Sequence, residues 1–295
     1  MNKARGWRFG GDRGLIRLLL LIALIVVVVV VGGAWVGANA YAAHWIATHG
    51  VVAGSEGAPP AGAQDVVYDP AAGLRAWYLA PEAGKATIVI AHGYQADRSH
   101  HAAEAAALRA LGYGTLQIDF AYVGGKKRYG GGGREADEVT AAVAYAKAQT
   151  SNGPVGLLGF SAGGTASILA AARGAPVIAV VADSSPVGFV RLATDRVKIP
   201  RWVFGLTPTL YPHFSDGGHL VDLASEVGNG RPYTVPTLII QGTADTTVDP
   251  ANGPALTALT KGTLWSVQGA GHTAAYSVQP QEYSNRLNAI FSRTG

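Results

Sequence analysis

The sequence predicts an α/β protein, with a mostly parallel β-sheet flanked by helices, a small helical cap and one N-terminal transmembrane helix. Strand-like apolar runs alternate with helix-like runs over most of the chain, which is the pattern of a sheet covered on both faces. The 40 glycines among 295 residues suit the tight turns and close helix-on-sheet packing of this class. A long apolar stretch near the N-terminus carries no charge and indicates the membrane-spanning helix.

The elements of the soluble part are expected where apolar runs end at glycine, proline or polar turns. Strands are predicted at 65–68, 74–79, 87–91, 115–120, 155–160, 177–182, 237–241 and 264–267, and helices at 99–111, 134–149, 162–173, 251–259 and 280–291. Several strand runs are apolar almost throughout, which is typical of strands buried on both faces. The interval 187–235 contains no clear strand and predicts a helical cap over one end of the sheet.

Composition excludes several classes of function. The net charge is +4, and five basic residues against one acid already give +4 within the first seventeen residues. These residues are Lys3, Arg5, Arg8, Arg13 and Arg17, with Asp12. Because the basicity belongs to a short leader, no nucleic-acid partner is expected. The absence of cysteine excludes disulfides, thiolate metal sites and a cysteine nucleophile. The histidines are not spaced like the ligands of a metal site, so no metal or other cofactor is expected.

The apolar stretch 18–38 has no charged residue and is as long as the roughly 20 residues that a membrane-spanning helix needs. Trp35, Tyr41 and Trp45 are placed like an interfacial aromatic belt. A cleaved signal peptide is the alternative, since Ala38-Asn39-Ala40 fits an A-x-A cleavage site. The stretch is longer than the roughly 7 to 15 apolar residues of a signal peptide, which favours a retained signal anchor.

Three parts of the chain are expected. They are a basic cytoplasmic leader with the transmembrane anchor (1–49), a flexible linker (50–63), and a globular domain (64–295) that carries the cap at about 187–235. Lysine and arginine clusters stay on the cytoplasmic side of a membrane helix. The domain is therefore expected outside the cytoplasm, on a single-pass anchor, or secreted if the leader is cleaved near Ala40.

A nucleophilic serine is predicted at the segment Gly159-Phe160-Ser161-Ala162-Gly163, which fits G-x-S-x-G. A buried strand precedes it and an alanine-rich helix follows, as a nucleophile elbow requires. Small neighbours allow the sharp reversal while Ser161 takes a strained conformation. The alternative interpretation is a small serine that merely permits a tight turn.

A serine hydroxyl needs a general base, held in the right tautomer by a carboxylate. His272 follows the last predicted strand in a glycine-rich loop and is the expected base. Asp245 follows the run 237–241, at the carboxyl end of its strand, where α/β sheets place ligand-contacting groups. Asp249 is the competitor, but Asp249-Pro250 resembles the start of a helix, so Asp245 is the predicted acid.

The oxyanion of acyl transfer requires fixed backbone N–H donors. The amide of Ala162, directly after the nucleophile at a helix N-terminus, is one predicted donor. The amide of Tyr94, in the loop after the run 87–91, is the other. His92 in the same loop is expected to brace the loop rather than to act as a base.

Four motifs carry a resemblance to a known family. They are Ala91-His92-Gly93-Tyr94, the G-x-S-x-G segment, Gly242-Thr243-Ala244-Asp245 followed by Val248, and Gly271-His272. In this order and spacing the chain resembles α/β-hydrolases from about residue 65 to 291, and within them membrane-anchored bacterial hydrolases of the serine-aminopeptidase-like or dienelactone-hydrolase-like kind. Where such proteins often read D-x-R-G-x-G-x-S, this chain departs from the pattern at 119–125.

These residues predict a carboxylesterase-like serine hydrolase that acts on a small-molecule ester or acyl substrate through an acyl-enzyme, with the membrane as its other partner. An amide hydrolase of the serine-aminopeptidase type is one alternative. It needs an acidic site for the substrate amine, and the cap offers Asp195, Asp216, Asp222 and Glu226. A non-catalytic, membrane-tethered binding module is the other alternative.

Overall fold

The computed structural model describes residues 12–54, 58–192, 200–228 and 232–292. Its strands are β1 (Gln64–Asp69), β2 (Leu74–Leu79), β3 (Thr87–Ala91), β4 (Gly114–Ile118), β5 (Val155–Phe160), β6 (Val180–Asp183), β7 (Thr237–Gly242) and β8 (Thr263–Val267). They form one eight-stranded sheet in the order β1-β2-β4-β3-β5-β6-β7-β8. β1 and β2 are antiparallel to their neighbours, and β3 to β8 run parallel.

Helices cover both faces of this sheet. In chain order the helices are named α1 (Asp12–His49), α2 (Ala102–Ala110), α3 (Gly133–Gln149), α4 (Ala162–Ala172), α5 (Thr207–Leu210), α6 (Leu223–Glu226), α7 (Asn252–Thr260), α8 (Ala275–Val278) and α9 (Pro280–Phe291). One buried cluster contains residues of α3, α4 and α7, and a second contains residues of α2 and α9. The predicted mostly parallel sheet flanked by helices is confirmed.

Two strands are shorter than their sequence runs. β4 was expected to reach residue 120 but ends at Ile118, because the amide of Phe120 leaves the ladder and donates to the ring of His92. β6 was expected from residue 177 but its pairing with β5 begins at Val180. Both differences lie at strand ends, where local hydrogen bonds compete with the ladder.

The first part of α1 has no protein neighbours. Residues 14–34 are exposed on every side, and the helix is long and apolar enough to cross a membrane. At 1.5 Å per residue this exposed part is about 30 Å long, the thickness of a bilayer's hydrocarbon core. Its length and surface therefore suit a membrane span.

The last part of α1 packs against the globular domain. Buried or half-buried residues repeat there at helical spacing, and one stripe of them contains Trp35, Asn39, Ala43, Ile46 and Ala47. The last three belong to the larger hydrophobic core of the domain. One helical face of 35–49, within the part predicted as leader and anchor, is therefore buried against the rest of the chain.

The predicted flexible linker begins in contact with the domain. Val52 forms an isolated parallel bridge with Val123, and the amide of Gly124 donates to the carbonyl of Val52 at 2.8 Å. The backbone of Gly50 packs so closely on Tyr94 that an added Cβ would lie 2.5 Å from its ring. The start of the interval 50–63 is thus held on the surface, while 55–57 lie outside the described residues, as does the basic leader before Asp12.

The cap interval 187–235 lies between β6 and β7. Its described residues form α5, α6 and two 3₁₀ turns, Arg201–Phe204 and Tyr211–His213, and contain no strand. Residues 193–199 and 229–231 are outside the described part. The turn Arg201–Phe204 and α5 both contact α1, so the cap and the end of this helix are packed on one another.

Candidate active site

The predicted site residues come from loops at the carboxyl ends of parallel strands. Tyr94 follows β3, Ser161 follows β5, Asp245 follows β7, and His272 follows β8. Because these strands run parallel, their carboxyl ends meet at one edge of the sheet, where α/β proteins bind ligands. The tertiary structure therefore brings together residues that are far apart in the sequence.

Ser161 occupies a sharp turn between β5 and α4. Its φ of 49° and ψ of −120° lie in a region that non-glycine residues avoid, which is the strain expected of a nucleophile elbow. An added Cβ on Gly163 would collide with the carbonyl oxygens of Ala91 and His92. Such a Cβ on Gly159 would lie 2.5 Å from the backbone of Gly164. The glycines of G-x-S-x-G are therefore required by close backbone contacts.

Asp245 holds the imidazole of His272. Its Oδ2 lies 2.9 Å from Nδ1 of His272, while its Oδ1 accepts hydrogen bonds from the amides of Thr247 and Val248 at 2.8 and 2.9 Å. Burial favours the neutral acid, but the hydrogen bonds from His272 and the two amides outweigh it and lower the pKa of Asp245. An ionised carboxylate at Nδ1 keeps the other ring nitrogen, Nε2, available to accept a proton.

Asp249, the competing acid, is exposed, and its carboxylate accepts a hydrogen bond from the amide of Ala251 at 2.8 Å. The sequence predicts the start of a helix at Asp249-Pro250. Instead α7 begins at Asn252, and Asp249 closes the turn that leads into it. Within the described hydrogen bonds, only Asp245 of the two carboxylates reaches His272.

Ser161 and His272 line the same cavity. No hydrogen bond among the described residues joins the Ser161 hydroxyl to the His272 ring. Catalytic hydrogen bonds are often long without substrate and shorten when it binds.

The two predicted oxyanion donors, Tyr94 and Ala162, line the same cavity as this serine. Gly93, next to Tyr94, is so close that its added Cβ would be 3.2 Å from Cβ of Ser161. Ala162 is the first residue of α4, where the backbone amides have no acceptor in their own helix. The Tyr94 side chain has a separate function, because its hydroxyl donates to the carbonyl of Ile46 in α1 at 2.7 Å.

His92 is buried, and its ring nitrogens have one partner in the same loop and one just after β4. Nδ1 lies 2.9 Å from the carbonyl of Gly93, and Nε2 accepts from the amide of Phe120 at 3.3 Å. Burial lowers the pKa of His92 to about 3, so the ring is neutral. These contacts match the expected bracing of the loop.

The cavity lined by Ser161 and His272 has a volume of about 450 Å³, and we call it the catalytic cavity after the predicted function of these two residues. Its apolar wall comes from the cap and from α1, through Phe189, Leu192, Phe204, Trp45 and Ile46. Within the described residues no carboxylate lines it. The cavity therefore suits an uncharged, largely apolar group beside Ser161.

The cap acids that an aminopeptidase would need lie elsewhere. Asp216 accepts a backbone hydrogen bond, Asp222 caps α6, and Glu226 lies near basic side chains. None of these three lines the catalytic cavity, and Asp195 is outside the described residues. In the same described part of the chain, no cluster of three or more histidine or acidic side chains could hold a metal ion.

Sequence reasoning missed a second buried carboxylate. Asp183, the last residue of β6, accepts hydrogen bonds from Ser184 at 2.9 Å and from the Tyr283 hydroxyl at 3.0 Å. The Ser184 hydroxyl in turn accepts from the amide of Thr273, next to His272. Burial raises the pKa of Asp183 to about 7. The sequence signal that could have revealed Asp183 is an acidic residue directly after the apolar run 177–182.

No protein-family model matches the chain, and no curated protein matches it in sequence. Solved structures resemble it in fold. An esterase of Pyrococcus furiosus superposes with a TM-score of 0.60 at 24% identity, over 75% of this chain and 86% of the esterase. A dienelactone hydrolase of Anabaena variabilis gives a TM-score of 0.52 at 21% identity, over 78% of this chain and 99% of that enzyme.

A membrane phospholipase A, described as a bacterial virulence factor, superposes over 96% of this chain and 100% of its own. Its TM-score is 0.53 at 18% identity. At these identities the likenesses concern the fold. The strand order and the superpositions together show that the protein has the α/β-hydrolase fold, which confirms at this level the resemblance carried by its motifs.

Proposed function

We propose that this protein is a membrane-anchored serine hydrolase that cleaves carboxylic esters. One observation carries the proposal: a strained serine and an imidazole bound to a buried carboxylate line one apolar cavity. The esterase and dienelactone hydrolase among the solved structures of this fold support hydrolysis as the reaction.

In the proposed reaction the Ser161 oxygen attacks the ester carbonyl while its proton passes to Nε2 of His272. Asp245 holds the ring and stabilises the imidazolium. The amides of Tyr94 and Ala162 donate to the oxyanion of the tetrahedral intermediate. His272 then protonates the leaving alcohol, and water releases the acid from the acyl-enzyme by the same steps.

The reaction class is tested by labelling the full-length protein with a fluorophosphonate probe. We expect the probe to label Ser161 and expect no labelling of Ser161→Ala. A panel of p-nitrophenyl esters, with an aminoacyl anilide beside them, then separates ester from amide cleavage. A folded protein whose Ser161 stays unlabelled would contradict the proposal and favour a binding module, and faster turnover of the anilide would favour the amide hydrolase.

The proposed anchor is α1, with the globular domain outside the cytoplasm. The exposed apolar surface of 14–34 and the basic leader support this orientation. The packing of Asn39 and Trp35 against the cap supports retention of the segment, because cleavage near Ala40 would remove both residues from the domain. Protease added to intact cells, with any outer envelope opened, should digest the domain. Digestion only after lysis would place the domain on the cytoplasmic side and contradict the proposed orientation.

A further inference from the structure

A second cavity lies between the anchor helix and the cap. It has a volume of about 330 Å³ and is bounded on α1 by Ala38, Tyr41 and Ala42 and on the cap by Val190 and Thr207. The Thr207 hydroxyl donates to Asn39 at 2.8 Å, so this polar group already has its partner. We call this space the side cavity.

The side cavity adjoins the catalytic cavity. Trp45, Ile46 and Phe204 line both, so the two cavities meet at these three side chains. No charged side chain lines the side cavity within the described residues. The two cavities together make a largely apolar region that begins beside Ser161 and continues along α1.

The side cavity lies between the catalytic cavity and the expected membrane surface. The fully exposed part of α1 ends at Ala34, and at 1.5 Å per residue Ala38 is about 6 Å beyond that point and Trp45 about 16 Å. On the cap, the neighbouring Trp202 is 70% exposed, as an aromatic ring at a membrane interface would be. A chain leaving the bilayer along α1 would reach the side cavity before it reached Ser161.

The walls of the side cavity are held together by one buried side chain, Asn39. Its Nδ2 donates to the carbonyl of Val203 at 2.9 Å, and its Oδ1 accepts from the amides of Leu206 and Thr207 at 3.1 and 2.9 Å. Trp35 also donates to the carbonyl of Val203. The anchor helix and the cap turn that carries Phe204 are therefore fixed relative to each other, and the side cavity is formed before any ligand binds.

We propose that the side cavity binds the fatty acyl chain of the substrate, which enters from the membrane surface while the ester group lies beside Ser161. The occupant is an alkyl chain, because the lining is apolar and the side cavity shares three lining side chains with the catalytic cavity. A polar or charged occupant would lose hydration there without gaining a partner. This inference rests on the proposed ester hydrolysis.

The test fills the side cavity without touching Ser161 or His272. Ala42→Phe places a ring in the side cavity, and Ala34→Phe makes the same change on the exposed part of α1 as the matched control. Kinetics of p-nitrophenyl butyrate and decanoate are measured for the full-length protein in lipid nanodiscs. Ala38→Phe, one turn earlier in the same lining, serves as the second variant if Ala42→Phe fails to fold.

We expect the cavity-filling variant to lower kcat/KM for decanoate by about tenfold or more, as exclusion of about two methylenes from an apolar site would. Butyrate turnover should stay within about twofold of wild type, since a short chain does not need the side cavity. Ala34→Phe should change neither. Equal losses on both esters, or no loss on decanoate, would overturn the inference.

A binding measurement separates this inference from the proposed function. Ser161→Ala in nanodiscs is irradiated with a diazirine-bearing decanoic acid, and the crosslinked residues are identified by mass spectrometry. Crosslinks to the α1 and cap residues that line the side cavity, lost in the Ala42→Phe background and retained with Ala34→Phe, support the site even if no ester is hydrolysed. Crosslinks confined to 14–34 would show lipid contact alone and refute it.

Discussion

The predicted function of Asp245 can be tested by a change of one atom. In Asp245→Asn the Oδ1 position already accepts hydrogen bonds from the amides of Thr247 and Val248, so the carbonyl oxygen of the new amide should stay there. The new NH₂ group must then take the place of Oδ2, 2.9 Å from Nδ1 of His272. A donor at that position requires Nδ1 to be the acceptor, which puts the ring proton on Nε2.

With the proton on Nε2, His272 cannot accept the proton of Ser161. We expect kcat for a short ester to fall about 10⁴-fold, which corresponds to about 5 kcal/mol of transition-state stabilisation. The fold should be intact because both backbone hydrogen bonds to position 245 remain. In addition, Gln241 has a buried carbonyl oxygen without a partner, which can rotate to accept from the new amide.

The matched control is Asp249→Asn, four residues along the same loop. Asp249 is exposed, and among the described residues its carboxylate accepts one hydrogen bond, from the amide of Ala251, which an asparagine side chain can also accept. Turnover should stay close to wild type. Steady-state kinetics with an unfolding curve for each variant checks both. If Asp249→Asn abolished activity while Asp245→Asn kept it, the two assignments would have to be exchanged.

Two further changes test groups that the sequence did not reveal. Burial raises the pKa of Asp183 from 3.8 to about 7, so its contribution to stability is complete below pH 4 and is lost as the pH rises through 7. Between pH 4 and pH 8 the unfolding free energy of the wild type, measured by urea unfolding, should therefore fall by up to about 4 kcal/mol more than that of Asp183→Asn. The same pH dependence in both proteins would contradict this. Asn39→Leu leaves the buried amide of Thr207 unpaired and should lower stability by about 3 kcal/mol and speed hydrogen exchange at 203–207. Thr48→Val, which removes a hydroxyl bonded only within α1, should do neither, and unchanged exchange in Asn39→Leu would refute the link between helix and cap.

Much of the site could be predicted because its residues are marked by short local patterns. A strand, a glycine-flanked serine and a small-residue helix define the turn at Ser161 without any distant contact. The proline after Asp249 favours Asp245 as the predicted acid, and the hydrogen bond between Asp245 and His272 agrees with that choice. Whether these residues carry out catalysis stays a prediction.

Other features depend on contacts that no local pattern specifies. Asp183 is the last residue of a buried strand, and its burial in the folded protein raises its pKa. Its connection to the His272 loop runs through Ser184, which donates to Asp183 and accepts from the amide of Thr273. In the sequence, Asn39 stands out only as the middle residue of a possible cleavage site. Its partners, Val203 and Thr207, lie 164 and 168 residues away, and hydrogen bonds over such separations leave no trace in the sequence.

The sequence by itself determined the α/β class, the long apolar N-terminal helix and the order of the chemistry-bearing loops, because hydrophobic periodicity and turn glycines act over a few residues. The tertiary structure alone decided which part of that helix packs on the sheet and cap. An apolar helix face looks the same in sequence whether lipid or protein covers it, since both remove it from water. Only the position of α1 against the cap shows that Trp45 and Ile46 line the cavity beside Ser161.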